Sequence, residues 1–218
     1  MEIPIEVDVR DGVHLEALLA LPEAPPEAPP ETPKVGLVIC HPHPLYGGDM
    51  HNPVVVRAAE VAQGLGLATL RFNFRGVGAS GGVHGEGKAE QDDVLAALET
   101  VAGQLPEDSQ VGLAGYSFGS WVSARVVAAG RELPALALIA PPLGLYDLDF
   151  LERVPTHTLL VAGNRDPFCP LEAIERVGKR LRRPVEIIEG AQHFFLGQLF
   201  PLGEVVERWI RAWARPGA

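Results

Sequence analysis

The sequence predicts an α/β fold: a doubly wound, mostly parallel sheet with helices on both faces and an antiparallel hairpin at its N-terminal end. Three observations predict it. Val35–Cys40 is a continuous apolar run of strand length, as in a sheet covered on both faces. Strand-like and helix-like segments then alternate along the chain, the pattern of βαβ units. Ile3–Val9 instead alternates apolar and charged residues; with the Asp11-Gly12 turn and His14–Leu21 it reads as an exposed hairpin.

The remaining elements follow in order. Pro22–Lys34 carries Pro22, Pro25, Pro26, Pro29, Pro30 and Pro33, which lack amide hydrogens, so it reads as a stiff solvated loop. Asn52-Pro53 is an N-cap followed by proline at the first helical position, and that helix runs to Gln63 with Gly64 as its stop. Leu67–Phe72 is a strand and Arg75–Gly87 a Gly-rich loop. Glu90–Leu105 is a helix with Val94, Leu95, Leu98, Val101 and Leu105 on one face and Asp92 and Asp93 near its positive end. Strands at Val111–Ala114, Ala135–Ala140, Thr156–Ala162 and Val185–Ile188 alternate with helices at Trp121–Ala129 and Leu171–Leu181. A last helix puts Val206, Trp209, Ile210 and Trp213 on one face.

The bulk properties exclude several function classes. A chain of 218 residues, 47% hydrophobic, fits one domain, 1–218, burying roughly 70% of its unfolded surface. The net charge of −10 makes nucleic acid and anionic membranes poor partners; Arg180, Arg182 and Arg183 are its densest basic cluster. Met1–Glu6 has no signal-peptide pattern, and no apolar run approaches the ~20 residues a bilayer span needs. Cys40 and Cys169 form no disulfide framework, so a soluble, cytoplasmic protein with reduced thiols is expected. Both cysteines read as buried small hydrophobes, with Cys169 also considered for exposure and oxidation.

One stretch organises the chemistry. Gly115-Tyr116-Ser117-Phe118-Gly119 is a Gly-x-Ser-x-Gly between a buried strand and a helix. That sharp turn strains the serine backbone and aims its hydroxyl clear of the sheet. A Cβ at Gly115 or Gly119 would press on neighbouring backbone. A serine hydroxyl needs an adjacent base, and the base needs an orienting partner. Ligands of such sheets sit at the carboxyl ends of strands, so both partners belong in later loops. Asp166 follows the Thr156 strand and His193 follows the Val185 strand. Taken alone, Asp166 is a turn former and His193 a loop histidine between aromatics. Together, the order Ser, Asp, His matches one known chain order for a catalytic triad.

The chain resembles the α/β-hydrolase fold superfamily, in particular its small lidless bacterial branch related to dienelactone hydrolases and short-acyl esterases. The resemblance runs from Val35 to Trp213. It rests on His41-Pro42-His43-Pro44-Leu45-Tyr46-Gly47-Gly48, on Phe72-Asn73-Phe74-Arg75-Gly76-Val77-Gly78-Ala79-Ser80, on the Ser117 turn, and on Asp166 and His193. It implies Ser117 as nucleophile, His193 as base and Asp166 as orienter; separately, near-normal activity in Asp166→Asn would move the orienter to Asp147 or Asp149. The oxyanion hole would use the Phe118 N–H and one from the Val35-strand loop. Pro42 and Pro44 cannot donate, leaving His43, Leu45 or Tyr46; the dienelactone-type pattern favours Leu45. Asn73 stands where many relatives have Asp, a position of structural weight. Only Pro141–Pro155 is available for a lid, so any cap is minimal. His43, Tyr46, Leu143, Leu145, Tyr146, Phe168 and Phe194 are candidates to line the substrate site.

Two rival motifs compete. Gly76-Val77-Gly78-Ala79-Ser80-Gly81 satisfies the dinucleotide fingerprint but lacks the immediate helix and the following acidic strand end. His41, His43, Asp49 and His51 resemble a metal-ligand cluster, with the Asp five residues late for a metallo-β-lactamase pattern. A non-catalytic binding module on the same fold is the third alternative. The favoured expectation is a serine hydrolase acting on small esters or thioesters through acyl-Ser117, without metal or cofactor; an edge strand and apolar faces permit a homodimer without requiring one. His14, His84 and His157 are assigned no partner.

Overall fold

The computed structural model describes residues 1–22 and 34–214, so the proline-rich stretch 23–33 lies outside the described residues. Eight strands form one sheet: β1 (Glu2–Asp8), β2 (His14–Ala20), β3 (Val35–Cys40), β4 (Ala68–Phe72), β5 (Gln110–Tyr116), β6 (Ala135–Ile139), β7 (His157–Gly163) and β8 (Val185–Ile188). Their spatial order is β1-β2-β4-β3-β5-β6-β7-β8. β1 pairs antiparallel with β2, and β2 antiparallel with β4; the other pairs are parallel. The helices are α1 (Pro53–Gly64), α2 (Glu90–Gly103), α3 (Phe118–Ala128), α4 (Leu171–Leu181) and α5 (Leu199–Trp213).

Successive strand residues point to opposite faces, which splits the core in two. Val38 and Cys40 of β3 join Val94, Leu98, Phe118 and Ile174, under α2, α3 and α4. Leu37 and Ile39 join Val54, Ala58, Leu202 and Trp209, under α1 and α5. Sheet and helices match the expected architecture, including the buried stripes of α2 and α5.

Local details differ. Helix α3 begins immediately after Ser117, because the turn residue itself serves as its N-cap. Helix α1 extends through Gly64, and the positive φ falls instead on Gly66. A 3₁₀ turn at Pro44–Tyr46 was not anticipated; His43 caps it through its side chain. Asp93, near the positive end of α2, is also buried, and binds the Arg75 guanidinium and backbone N–H. Between β6 and β7 the chain forms no helix or strand. Both cysteines are fully buried, which corrects the idea of an oxidisable Cys169; burial pushes the Cys40 thiol up to about 12 and raises Cys169 as well.

Candidate active site

Ser117 sits at φ 53°, ψ −118°, a conformation that non-glycine residues adopt only under constraint. The constraint is packing. A Cβ on Gly119 would lie 2.5 Å from the Cys40 carbonyl oxygen, and one on Gly115 2.3 Å from that of Gly119. Strand β3, strand β5 and helix α3 therefore meet backbone to backbone. The Ser117 N–H donates to Ile139 O at 2.9 Å, and Ser120 Oγ donates to Ser117 O at 2.6 Å, so the turn is held from both sides.

The other two predicted residues converge on it. His193 Nε2 is 2.9 Å from Ser117 Oγ, and His193 Nδ1 is 2.8 Å from Asp166 Oδ2. All three are buried. Asp166 Oδ1 accepts the Phe168 and Cys169 N–H groups at 2.8 and 2.9 Å. Asp166 thus shapes its own turn with one oxygen and meets the His193 ring with the other. An acceptor-only carboxylate fixes the proton on Nδ1 and leaves the Nε2 lone pair facing the serine hydroxyl. The Tyr116 hydroxyl donates to His193 O at 2.9 Å. Burial, then the Asp166 charge, pushes the Tyr116 phenol up, so it stays a donor.

The loop after β3, expected to supply the second oxyanion donor, holds hydrogen bonds of its own. The Leu45 N–H donates to His43 Nδ1 at 3.2 Å, and the Tyr46 N–H to His43 O at 3.1 Å. The Leu45 assignment therefore meets a competing acceptor. Among the described residues the His43 and Phe118 N–H groups carry no hydrogen bond. Counting back from the loop glycine could not reveal this, since it depends on the His43 ring folding over its own turn.

Of the substrate-side candidates, Phe168 and Phe194 lie with ring centroids 4.9 and 5.6 Å from His193. His43 contacts Phe118 at 4.7 Å and Tyr46 at 4.8 Å. Tyr146 stacks on Trp121 at 4.4 Å, which in turn reaches Phe118. Leu143 packs against the core, and no ring contact or hydrogen bond links it to Ser117. Tyr46, Val83, Leu145, Phe194 and Leu196 are exposed, on loops that leave the carboxyl ends of four different strands.

The rival motifs dissolve on geometry. Both His41 nitrogens are engaged by backbone, Nδ1 with Pro42 O at 2.6 Å and Nε2 with the Phe74 N–H at 2.9 Å. Asp49 Oδ1 accepts the His51 N–H. Among the described residues, the metal-type side chains gathered within 4.8 Å are the exposed Glu6, Asp8 and His14. The Gly76–Gly81 loop folds on itself, Gly76 N–H to Gly81 O, and no helix opens until Glu90. Asn73 donates to Glu16 Oε2 and accepts the Met50 N–H, a structural bridge. The unassigned histidines have partners: His14 contacts Asp8, His84 contacts Glu90, and the His157 carbonyl accepts the Trp209 indole.

A strained serine at a strand–helix turn, in a sheet of this strand order without a lid insertion, defines an α/β hydrolase. Comparison with known proteins agrees: the family model described as "Alpha/beta hydrolase domain" matches residues 35–199, and the chain belongs to that family. A lidless a/b serine hydrolase from Xanthomonas campestris superposes with a TM-score of 0.86 at 33% identity, covering 100% of this chain and 97% of that one. An alpha-beta serine hydrolase homologue from Coxiella burnetii gives a TM-score of 0.83 at 34% identity, covering 94% and 96%. An uncharacterized protein of Rickettsia prowazekii is 34% identical over 168 residues, 72% of this chain and 71% of that one.

Proposed function

We propose that this hydrolase is a serine esterase acting on small, neutral esters through an acyl-Ser117 intermediate. The observation that carries the reading is the unbroken hydrogen-bonded series from Ser117 through His193 to Asp166. His193 Nε2 takes the hydroxyl proton as Ser117 Oγ bonds to the carbonyl carbon, and the carbonyl electron pair moves onto oxygen. The oxyanion is received by the Phe118 N–H and the His43 N–H, at the positive end of α3. Collapse breaks the bond to the leaving alkoxide or thiolate, which takes the proton from His193. A water then repeats the sequence, with His193 again as base, and releases the carboxylic acid and free Ser117.

The preference for neutral, apolar substrates rests on two features. Exposed apolar side chains stand on loops that leave the carboxyl ends of the strands, the end of the sheet that carries Ser117, and exposed apolar surface marks binding sites. The chain's charge of −10 repels polyanionic substrates such as phosphorylated thioesters. A cytoplasmic location is part of the same reading; among the described residues no helix is long and apolar enough to cross a membrane.

The test is intact mass after incubation with a fluorophosphonate, with ester hydrolysis followed in parallel in the presence of EDTA. The expected result is one adduct, lost in Ser117→Ala while the unfolding midpoint is retained, and hydrolysis indifferent to EDTA. No adduct on the wild type, or hydrolysis abolished by EDTA, would overturn the proposal.

A further inference from the structure

A second buried carboxylate–histidine pair, His84 and Glu90, lies against Phe118, the residue after Ser117, and the hydrolytic series does not use it. Glu90, the first residue of α2, is fully buried. Its two oxygens accept the Gly85 and Gly87 N–H groups at 2.7 and 2.8 Å, which closes the Gly-rich loop after β4 back onto the helix start. Bonds from N–H to an ionised carboxylate are among the stronger ones, so the loop is fixed. His84 is carried on that loop. Its Nδ1 lies 2.9 Å from Glu90 Oε1, yet makes no directed hydrogen bond to it or to any other described residue.

The His84 ring also reaches the loop after β3. It meets His43 at a centroid distance of 5.0 Å and Phe118 at 5.5 Å. His43 and Phe118 meet each other at 4.7 Å, which closes a triangle of three rings. Two of its corners are His43 and Phe118, whose backbone N–H groups carry no hydrogen bond among the described residues. Within the loop, His43 is also the node of the turn: its Nδ1 accepts the Leu45 N–H, and its carbonyl accepts from Tyr46 and Gly48. Burial first, then the neighbouring His84, keeps His43 below the usual histidine range, so its lone pair remains available to hold Leu45.

We propose that Glu90 and His84 are positioning residues that set the two oxyanion donors, with the His84 ring as a wedge against His43 and Phe118 and Glu90 as its anchor. The proposal rests on reading the Ser117 site as a serine esterase. Neither residue touches substrate; each acts through the backbone of another. Donors must sit where the oxyanion forms, so a small displacement weakens transition-state binding and leaves ground-state binding alone.

The experiment compares His84→Ala, His84→Phe and Glu90→Gln on a neutral p-nitrophenyl ester, with a trifluoromethyl ketone as a probe that adds to the serine and carries an oxyanion. His84→Ala should lower kcat roughly tenfold or more with KM unchanged, and weaken ketone inhibition by the same factor, because a lost donor costs about 10²–10³ and a displaced one less. His84→Phe, which keeps a ring in the triangle, should recover most of kcat. Glu90→Gln should match His84→Ala; if burial prevents that variant from folding, the His84 pair still decides. Wild-type kcat in His84→Ala, a change in KM alone, or no recovery in His84→Phe overturns the proposal. Fluorophosphonate labelling of the wild type separates the two ideas: labelled wild type with an indifferent His84→Ala sinks only the wedge, whereas unlabelled wild type sinks the esterase reading.

Discussion

The loops that leave β3 and β8 each bury a histidine with both ring nitrogens engaged, yet only one of the two can be a base. His41 is 0% exposed and His193 6%. His41 is held between a carbonyl oxygen and an amide N–H. His193 is held between a carboxylate and a hydroxyl. Neither backbone partner of His41 can exchange a proton near neutral pH, and burial drives its own pKa down to about 4. It is a neutral strut joining the oxyanion loop to the loop after β4. What separates a strut from a base is therefore the chemistry of the partners, since burial and hydrogen-bond count are alike.

The sharpest way to break that contrast is Asp166→Asn. The carboxamide can present its NH₂ to Nδ1, which moves the ring proton to Nε2 and removes the acceptor from Ser117. By analogy with other triads, kcat should fall by about 10⁴ with the fold intact. Steady-state kinetics beside a thermal melt would check it. A loss under tenfold would move the orienter to Asp147 or Asp149, where Asp147 Oδ1 instead accepts the Asp149 N–H on the surface.

His41→Phe is the complementary change. It preserves the ring edge against Phe74 but leaves the Phe74 N–H buried without its acceptor. Such a group costs about 1–3 kcal/mol, and 1 kcal/mol shifts the Tm of a chain this size by roughly 2–4 °C. The Tm should drop by several degrees, while kcat per fluorophosphonate-labelled site stays within about tenfold of wild type. Turnover lost as completely as in Asp166→Asn, with an unchanged Tm, would mean that His41 is more than a strut.

The same contrast explains what was legible in the sequence. Ser117, Asp166 and His193 could be read because each occupies a topologically fixed place, the carboxyl end of a strand. The strands were legible because burial on two faces writes an apolar run. The second donor was assigned to Leu45 by a residue count, which cannot show that the His43 ring turns back on the Leu45 N–H. His84 and Glu90 were missed for a related reason: the loop joining them returns on itself through Gly85 and Gly87. One signal was available. Glu90 lies one turn before Val94, on the same buried stripe of α2, and an acid on an apolar stripe requires buried partners.

Glu16 offers the mildest test, at the other end of the strut. From β2 it accepts the Ala79 N–H at 2.9 Å and the Asn73 amide at 2.8 Å, and so holds the β4 loop that His41 grips from the opposite side. The Ala79 N–H, then the Asn73 amide, hold the Glu16 carboxyl below its ordinary value of 4.5. The folded state therefore favours the ionised form. The stability this contributes is fully present above about pH 4.5 and is lost as pH falls through the depressed folded value. Glu16→Gln should melt slightly below wild type at neutral pH, and the gap should close on acidification below that range. Turnover at neutral pH should be nearly unchanged, since Glu16 touches the loop's anchor and not His193. Melting curves of both proteins from pH 7 to 3 would check the sign. A gap that widened toward acid would mean the carboxylate is a burden on the fold, and that the β4 loop does not depend on Glu16 for its anchorage.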